Sequence, residues 1–208
     1  MIKNIIFDFD GVILVSIPVK VEAFKTLFEE FPADKVDELI KYHLLNGGKS
    51  RYLKIRYFYE ELLNKNITDE KVNQIAQLYS ELTKLELSKE KYIVQDTFKF
   101  IKENYQNYKM HIASGADDKD LKFICDSLGL TKYFLSINGS PTVKTKIVKD
   151  ILMKNQYKKE ETILIGDSIN DYEAANDSKI EFYGYNNIKF RHKNNYIIQL
   201  KELVLENN

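Results

Sequence analysis

A short apolar run, Ile5-Ile6-Phe7, stops on Asp8-Phe9-Asp10-Gly11, the pattern of a buried strand that empties into a loop. Two aspartates therefore stand at the carboxyl end of a strand. From about residue 19 to 88 the apolar positions fall at helical spacing, predicting helices near 19–30, 34–46, 51–64 and 69–87 with no strand between them. Strand-like runs recur near Met110–Ala113, Tyr133–Ile137, Thr162–Ile165 and Ile180–Tyr183, separated by segments of helix length. This alternation predicts a Rossmann-like, doubly wound α/β fold on a parallel sheet, and the helical stretch reads as an insertion after the first strand. Residues 1–15 and 89–208 are then expected to form the α/β core and residues 16–88 an α-helical cap, with crossings near Ser16 and Ser88.

Composition narrows the picture. The chain has 208 residues, 44% of them hydrophobic, enough for one catalytic domain and a modest insertion. Lys+Arg and Asp+Glu both number 31, so the formal charge is +0 and no single-sign field gathers nucleic acid or an anionic membrane. Neither is expected as a partner, and no obligate protein partner is evident. Cys125 is the lone cysteine, which excludes an internal disulfide framework or a multi-cysteine metal site and fits a reducing compartment. The run from Met1 to Phe9 is too short, and too early interrupted by Asp8, for a signal peptide or a membrane span, so a cytoplasmic location is expected.

The chemistry gathers at strand ends. Ile163-Leu164-Ile165-Gly166-Asp167-Ser168-Ile169-Asn170-Asp171 repeats the opening pattern, an apolar strand running into two carboxylates four residues apart. Each acidic segment read alone also fits a turn or a helix cap. Ligands of parallel sheets bind beyond the strands' carboxyl ends, and those ends here carry Asp8 with Asp10, Ser114, and Asp167 with Asp171. Four carboxylates in one pocket repel each other and any phosphate, so the arrangement requires strong positive charge among them. Mg2+, held by oxygen ligands such as Asp8 and Asp167 with Asp171 behind them, would supply it, together with a lysine. Lys144, at the start of a predicted helix, stands on the active edge, with Lys146 as a competitor. Ser114-Gly115 offers a hydroxyl and backbone amides to a phosphate oxygen.

The ordered set Asp8-Phe9-Asp10-Gly11-Val12, Ser114-Gly115, Lys144 and Gly166-Asp167-Ser168-Ile169-Asn170-Asp171 resembles the four signatures of haloacid dehalogenase-like hydrolases, in the helical-cap branch of phosphoglycolate phosphatase and beta-phosphoglucomutase. The resemblance implies a magnesium-dependent phosphatase acting on a small phosphorylated molecule. It implies that Asp8 attacks phosphorus to form an aspartyl phosphate, and that Asp10 first protonates the leaving group and then activates water. It further implies that Ser114 holds a phosphate oxygen, that Lys144 stabilises charge, and that Asp8, Asp167 and the Asp10 backbone carbonyl bind magnesium, with Asp171 assisting. An aspartate at position 10 favours phosphate esters over carbon–halogen or carbon–phosphorus bonds. Two departures stand out: Val15 sits where capped relatives commonly carry an acidic residue, and the lysine is not followed by proline.

The cap is expected to hold the specificity. Asn46-Gly47-Gly48-Lys49-Ser50-Arg51 joins two predicted helices with flexible, cationic character, in a chain whose other arginines are only Arg56 and Arg191. Lys49 and Arg51 are expected to bind substrate, Arg56 and His43 less so, and the likeness of this loop to relatives in bacterial surface-sugar pathways points toward sugar phosphates. Tyr52, Tyr57, Phe58 and Tyr59 read as cap core. The competing enzyme is a sugar-phosphate mutase, and the competing non-enzyme a silent binding protein that kept the fold.

Overall fold

A computed structural model describes residues 1–192 and 195–205. Five strands make one parallel sheet in the order β3-β2-β1-β4-β5: β1 (Asn4–Phe7), β2 (Lys109–Asp117), β3 (Ser136–Ser140), β4 (Thr162–Gly166) and β5 (Glu181–Gly184). The central strand is an unbroken apolar run because helices cover both of its faces. Ile5, Phe7, Ile112, Ile163 and Ile165 face α5 (Gln95–Asn104) and α6 (Asp118–Ser127) through Phe100, Ile101, Leu121 and Ile124. Ile6, Ala113 and Leu164 face α7 (Lys144–Asn155) and α8 (Ile169–Ser178) through Ile147, Val148, Ile151, Ala174 and Ala175. Helices on both faces of a parallel sheet are the doubly wound α/β arrangement predicted from the alternation.

Between β1 and α5 the chain leaves the sheet and builds α1 (Ile17–Leu27), α2 (Ala33–Leu45), α3 (Arg51–Tyr57), a π-helical turn (Phe58–Leu62) and α4 (Asp69–Leu87). These helices have a core of their own, with Phe24, Phe28, Leu39, Ile55, Phe58, Ile75 and Tyr79 fully or almost fully buried. In α4 the buried positions Val72, Ile75, Ala76, Tyr79, Thr83 and Leu87 keep the helical repeat that gave the helix away in the sequence. The outgoing and returning segments lie side by side, with Val15 N–H donating to the Tyr92 carbonyl and Val94 N–H to the Ile13 carbonyl at 2.8 and 2.9 Å. A short helix, α9 (Glu202–Leu205), ends the described chain. Among the described residues no helix is long and apolar enough to cross a membrane.

Three boundaries differ from the pattern-based expectation. The third strand begins at Ser136, because Thr131–Tyr133 form a helical turn and the apolar Leu135 points outward, 62% exposed. Its inner half, Asn138-Gly139-Ser140, is polar and so carries no strand signal. The second strand continues past Ala113 through an irregularity to Asp117, whose side chain caps α6 by accepting from Lys119 N and Asp120 N. Helix α1 starts at Ile17 because Pro18 is tolerated in a first helical turn, where its missing N–H has no partner to lose.

Candidate active site

Asp8 follows the last residue of β1 and is 3% exposed, with Phe9 N–H donating to Oδ1 at 2.7 Å. Lys144, at the first position of α7, reaches back across the sheet edge and puts Nζ 2.8 Å from Asp8 Oδ1. The same ammonium bonds Asp171 Oδ1, whose other oxygen accepts from the Ser168 amide (3.0 Å) and hydroxyl (2.6 Å). Asp171 is therefore fully engaged by the protein, and it holds both Lys144 and the turn into α8. One oxygen from each of Asp8, Asp167 and Asp171 lies within 4.8 Å of the others.

Electrostatics follow from this crowding. Burial pushes the Asp8 carboxyl well above the usual range, and Asp171 adds to the rise against the pull of Lys144. Asp167 is raised to about 7, first by burial and then by Asp171. Lys144 is held above its ordinary value: burial opposes this, but Asp171 and Asp8 outweigh it. Three carboxylates thus share one ammonium, a deficit of positive charge that a hard divalent cation with oxygen ligands would relieve. The donor set fits such an ion.

Asp10 lies beside this cluster but bonds elsewhere. Its oxygens accept from Ser16 Oγ at 2.6 Å and Lys20 Nζ at 2.5 Å. Burial raises its carboxyl, yet Lys20 and these hydrogen bonds more than offset that and hold it below the ordinary value. Gly11, between the two acidic segments, has φ +81°, and a Cβ there would overlap the Asp167 carboxylate, so the turn and the close approach both require glycine. Asn186 and Asn187, just past β5, donate to the carbonyls of Gly11 (3.0 Å) and Asp167 (2.6 Å) and brace both loops. Ser114 is buried at the bulge of β2, its Oγ accepting from Ala116 N–H at 3.1 Å. At neighbouring Gly115 a Cβ would overlap the carbonyl oxygen of Gly48, so the loop between α2 and α3 rests directly on the sheet edge.

Under that loop lies a cavity of about 60 Å³ lined by Asp10 and Asp167 on the sheet side and by Lys20, His43, Lys49 and Arg51, among others, on the helical side. The structure brings His43, Lys49 and Arg51 to this wall, but differently engaged. The Arg51 guanidinium is buried on Asp120 Oδ2 (2.5 Å), Ser80 Oγ (2.5 Å) and the Ala76 carbonyl (3.1 Å). Lys49 sits by the Tyr42 hydroxyl at 3.2 Å. Arg56 is half-buried and pairs with Glu60 and Asp69, outside the cavity lining, and Lys146 pairs with Asp150 on the surface. Phe58 is buried among the helices, Tyr57 stacks on Tyr42, Tyr59 packs on Phe28 and Phe31, and the Tyr52 hydroxyl donates to Asp117.

Two cavity cations were not singled out from the sequence: Lys20 and Lys54. Lys20 looks like any other lysine in α1. Lys54 carried a signal, because Arg51, Lys54, Ile55 and Phe58 share one helical face and that face is buried. A lysine in an apolar stripe is unusual enough to mark a position.

A parallel sheet whose central strand ends on a buried aspartate, with a lysine on that aspartate and a second acidic loop facing it, places the chain among the α/β hydrolases. The family model for haloacid dehalogenase-like hydrolases matches residues 5–185, and the chain belongs to that family. Among curated proteins none matches it. Solved structures share the fold at low identity. A beta-phosphoglucomutase from Clostridium difficile superposes with TM-score 0.78 at 18% identity, covering 100% of this chain and 95% of that one. A predicted phosphoglycolate phosphatase from Haemophilus somnus 129pt gives TM-score 0.76 at 13% identity, covering 100% and 98%. The HAD-hydrolase YfnB from Bacillus subtilis, bound to magnesium, gives 0.71 at 16% identity, covering 99% and 98%.

Proposed function

We propose that the protein is a magnesium-dependent phosphatase that hydrolyses a small phosphate monoester through a phosphoryl group carried on Asp8. The observation that carries this reading is the placement of Asp8: buried, 2.8 Å from Lys144, and clustered with Asp167, which lines the cavity together with Asp10. In the first half-reaction an Asp8 carboxylate oxygen bonds phosphorus as the phosphorus–ester oxygen bond breaks, and the departing oxygen takes a proton from Asp10. In the second, water attacks the acyl phosphate, gives its proton to Asp10, and Asp8 is released. As held here by Ser16 and Lys20, Asp10 is a base, the form the second step needs. The first step requires it to leave Lys20 and gain a proton. Lys144 offsets charge on Asp8, and the Ser114–Gly115 turn offers donors to a phosphoryl oxygen. Asp8, Asp167 and the Asp10 carbonyl would hold Mg2+, whose chemistry when bound is to neutralise charge on the phosphoryl oxygens.

In this reading the helices within residues 16–88 act as a cap over a core made of residues 1–15 and 89–208, and the 60 Å³ cavity suits a compact leaving group. Phosphate release from sugar phosphates, phosphoglycolate and nucleotides, with magnesium or with chelator, tests the proposal on the native chain and on Asp8→Asn. Release that needs both the metal and Asp8 supports it. Release that survives Asp8→Asn refutes it.

One observation favours a mutase instead. The Gly48 carbonyl packs on Gly115, so the loop between α2 and α3 lies against the sheet edge beside the cavity, and exclusion of water is what lets an aspartyl phosphate return its phosphoryl group to substrate. An isomerisation assay with a sugar bisphosphate activator separates the two: isomer formation faster than phosphate release identifies the mutase.

A further inference from the structure

We propose that the substrate's leaving group bears a second anionic group, a carboxylate or another phosphate, and that Lys54, held in place by His43, binds it. The inference rests on the phosphoryl-transfer reading of the same cavity and goes on to name the class of substrate. Lys54 in α3 is 3% exposed and His43 at the end of α2 is 4% exposed, and both line the cavity. Lys54 Nζ lies 3.0 Å from His43 Nδ1 and 3.4 Å from the Gly47 carbonyl, and among the described residues it forms no ion pair with a carboxylate. Its neighbours differ. Arg51 is paired with Asp120, Lys20 with Asp10 and Lys144 with Asp8 and Asp171.

A buried cation without a counter-charge is costly, and the cost is removed when an anion binds beside it. The hydrogen bonds say what kind of ligand fits. When Lys54 is charged its ammonium has three hydrogens to donate and no lone pair, so Nδ1 of His43 is then the acceptor and the ring proton sits on Nε2. Nε2 is buried and, among the described residues, has no hydrogen-bond partner. Lys54 uses two of its three hydrogens. Lys54 therefore keeps one unused donor at the cavity wall and has no carboxylate paired with it, complementary to a carboxylate or phosphate. The Phe24 ring, edge-on to His43 at 5.2 Å between centroids, keeps the site apolar and strengthens the attraction.

Position assigns this anion to the leaving group. The transferred phosphoryl belongs at Asp8 and Lys144, on the sheet edge. Lys54 stands on the helical wall, close enough to Asp10 for each to influence the other's charge, and Asp10 is the group that serves the departing oxygen. Lys54 also holds the Gly47 carbonyl of the loop that rests on Gly115, so an anion at Lys54 would bind where the cavity closes.

The test reads binding without turnover. The Asp8→Asn chain with magnesium is titrated calorimetrically with 2-phosphoglycolate, propane-1,3-diyl bisphosphate and 2-hydroxyethyl phosphate. The first two carry the second anion as carboxylate or phosphate, and the third replaces it with a hydroxyl. At least one anionic probe is expected to bind tenfold or more tightly than 2-hydroxyethyl phosphate, and which one identifies the anion. Adding Lys54→Met should erase that preference, whereas Lys54→Arg, which keeps the charge, should retain most of it. No preference in the Asp8→Asn chain, or an equal loss for all three probes with Lys54→Met, overturns the proposal, as does failure of all three to bind. Phosphate release by the native chain is measured separately, so failure of the phosphatase reading shows there and failure of the anion site shows in the titrations.

Discussion

The two walls of the cavity solve opposite problems. On the sheet side negative charge is in excess, with Asp167 in the cavity wall and Asp8 and Asp171 clustered with it around Lys144. The helical wall has too much positive charge: it contributes Lys20, Lys49, Arg51 and Lys54, while the carboxylates that meet two of them, Asp10 and Asp120, come from the sheet side. A divalent cation would settle the first imbalance and an anionic substrate the second. On the phosphatase reading the cavity and the cluster beside it together receive a cation and an anion, with the transferred phosphoryl group between them. The walls differ also in how they are held. Sheet-side groups sit at ends of buried strands and at the start of α7, whereas helical-wall groups come from α1, α2, α3 and the Asn46–Ser50 loop, and are set by how that helical unit rests on the sheet edge.

The comparison breaks most sharply at Asp8. On the phosphatase reading, in which Asp8 is the nucleophile, Asp8→Asn is expected to lower phosphate release by about four orders of magnitude or more, while relieving repulsion with Asp171 and leaving the fold intact by thermal melt. Lys144→Met attacks the same wall from the other side. It leaves Asp8 and Asp171 buried without their shared cation, and urea unfolding should show a loss of about 4 kcal/mol. Millimolar magnesium should recover part of that loss if the carboxylates hold the ion. A loss that magnesium does not touch would place the ion elsewhere.

These two walls were unequally legible in the sequence. Asp8, Asp10, Lys144, Asp167 and Asp171 could be marked because strand-to-loop transitions leave a local pattern, apolar run then acid, and because backbone geometry alone brings strand ends together. The helices of 17–87 were visible from their period, and the aromatic run after Arg51 was legible as packing because its spacing is helical. Residues whose role depends on tertiary approach were not visible. Nothing local to Asp120 says that Arg51, 69 residues earlier, will be buried on it, nor that Asn186 and Asn187 will brace the two acidic loops. Lys20 is anonymous among lysines until α1 is laid against Asp10. The third strand was displaced by three residues because its inner half is polar and bonds through side chains, as Asn138 does to the Ile112 carbonyl.

On the helical wall, Lys54→Met sharpens the contrast through pH. Burial and the nearby Lys20 lower Lys54 from 10.5 to about 7, so between these values the unfolded chain binds a proton that the folded chain lacks. Stability of the native chain from this group therefore rises with pH across that window and is lowest at and below 7. Lys54→Met should be more stable than the native chain by roughly 3 kcal/mol at pH 7, and the gap should close toward pH 10. Urea titrations at both pH values measure it, and a gap independent of pH would mean that Lys54 is not the cause. Gly115→Ala probes the seam between the walls. Its methyl would overlap the Gly48 carbonyl and push the loop off the sheet edge, so turnover is expected to fall about tenfold with little change in melting temperature.

The smallest effect belongs to Arg56, and it is informative because sequence composition set Arg51 and Arg56 apart together. Arg56 points outward and pairs with Glu60 and Asp69, the latter carboxylate 83% exposed. Surface pairs of this kind contribute little, since water screens the charges and two long side chains must be ordered to meet. Arg56→Ala should therefore cost no more than about 0.5 kcal/mol in urea unfolding and leave the kinetic constants for the best substrate unchanged. Arg51, by contrast, is enclosed by Asp120, Ser80 and the Ala76 carbonyl across the junction of α4 and α6, where loss of the guanidinium leaves a buried carboxylate unpaired. If Arg56→Ala instead raised KM markedly, the anion-receiving surface would extend beyond the cavity wall along the outer face of α3, and the substrate would be larger than the closed cavity admits.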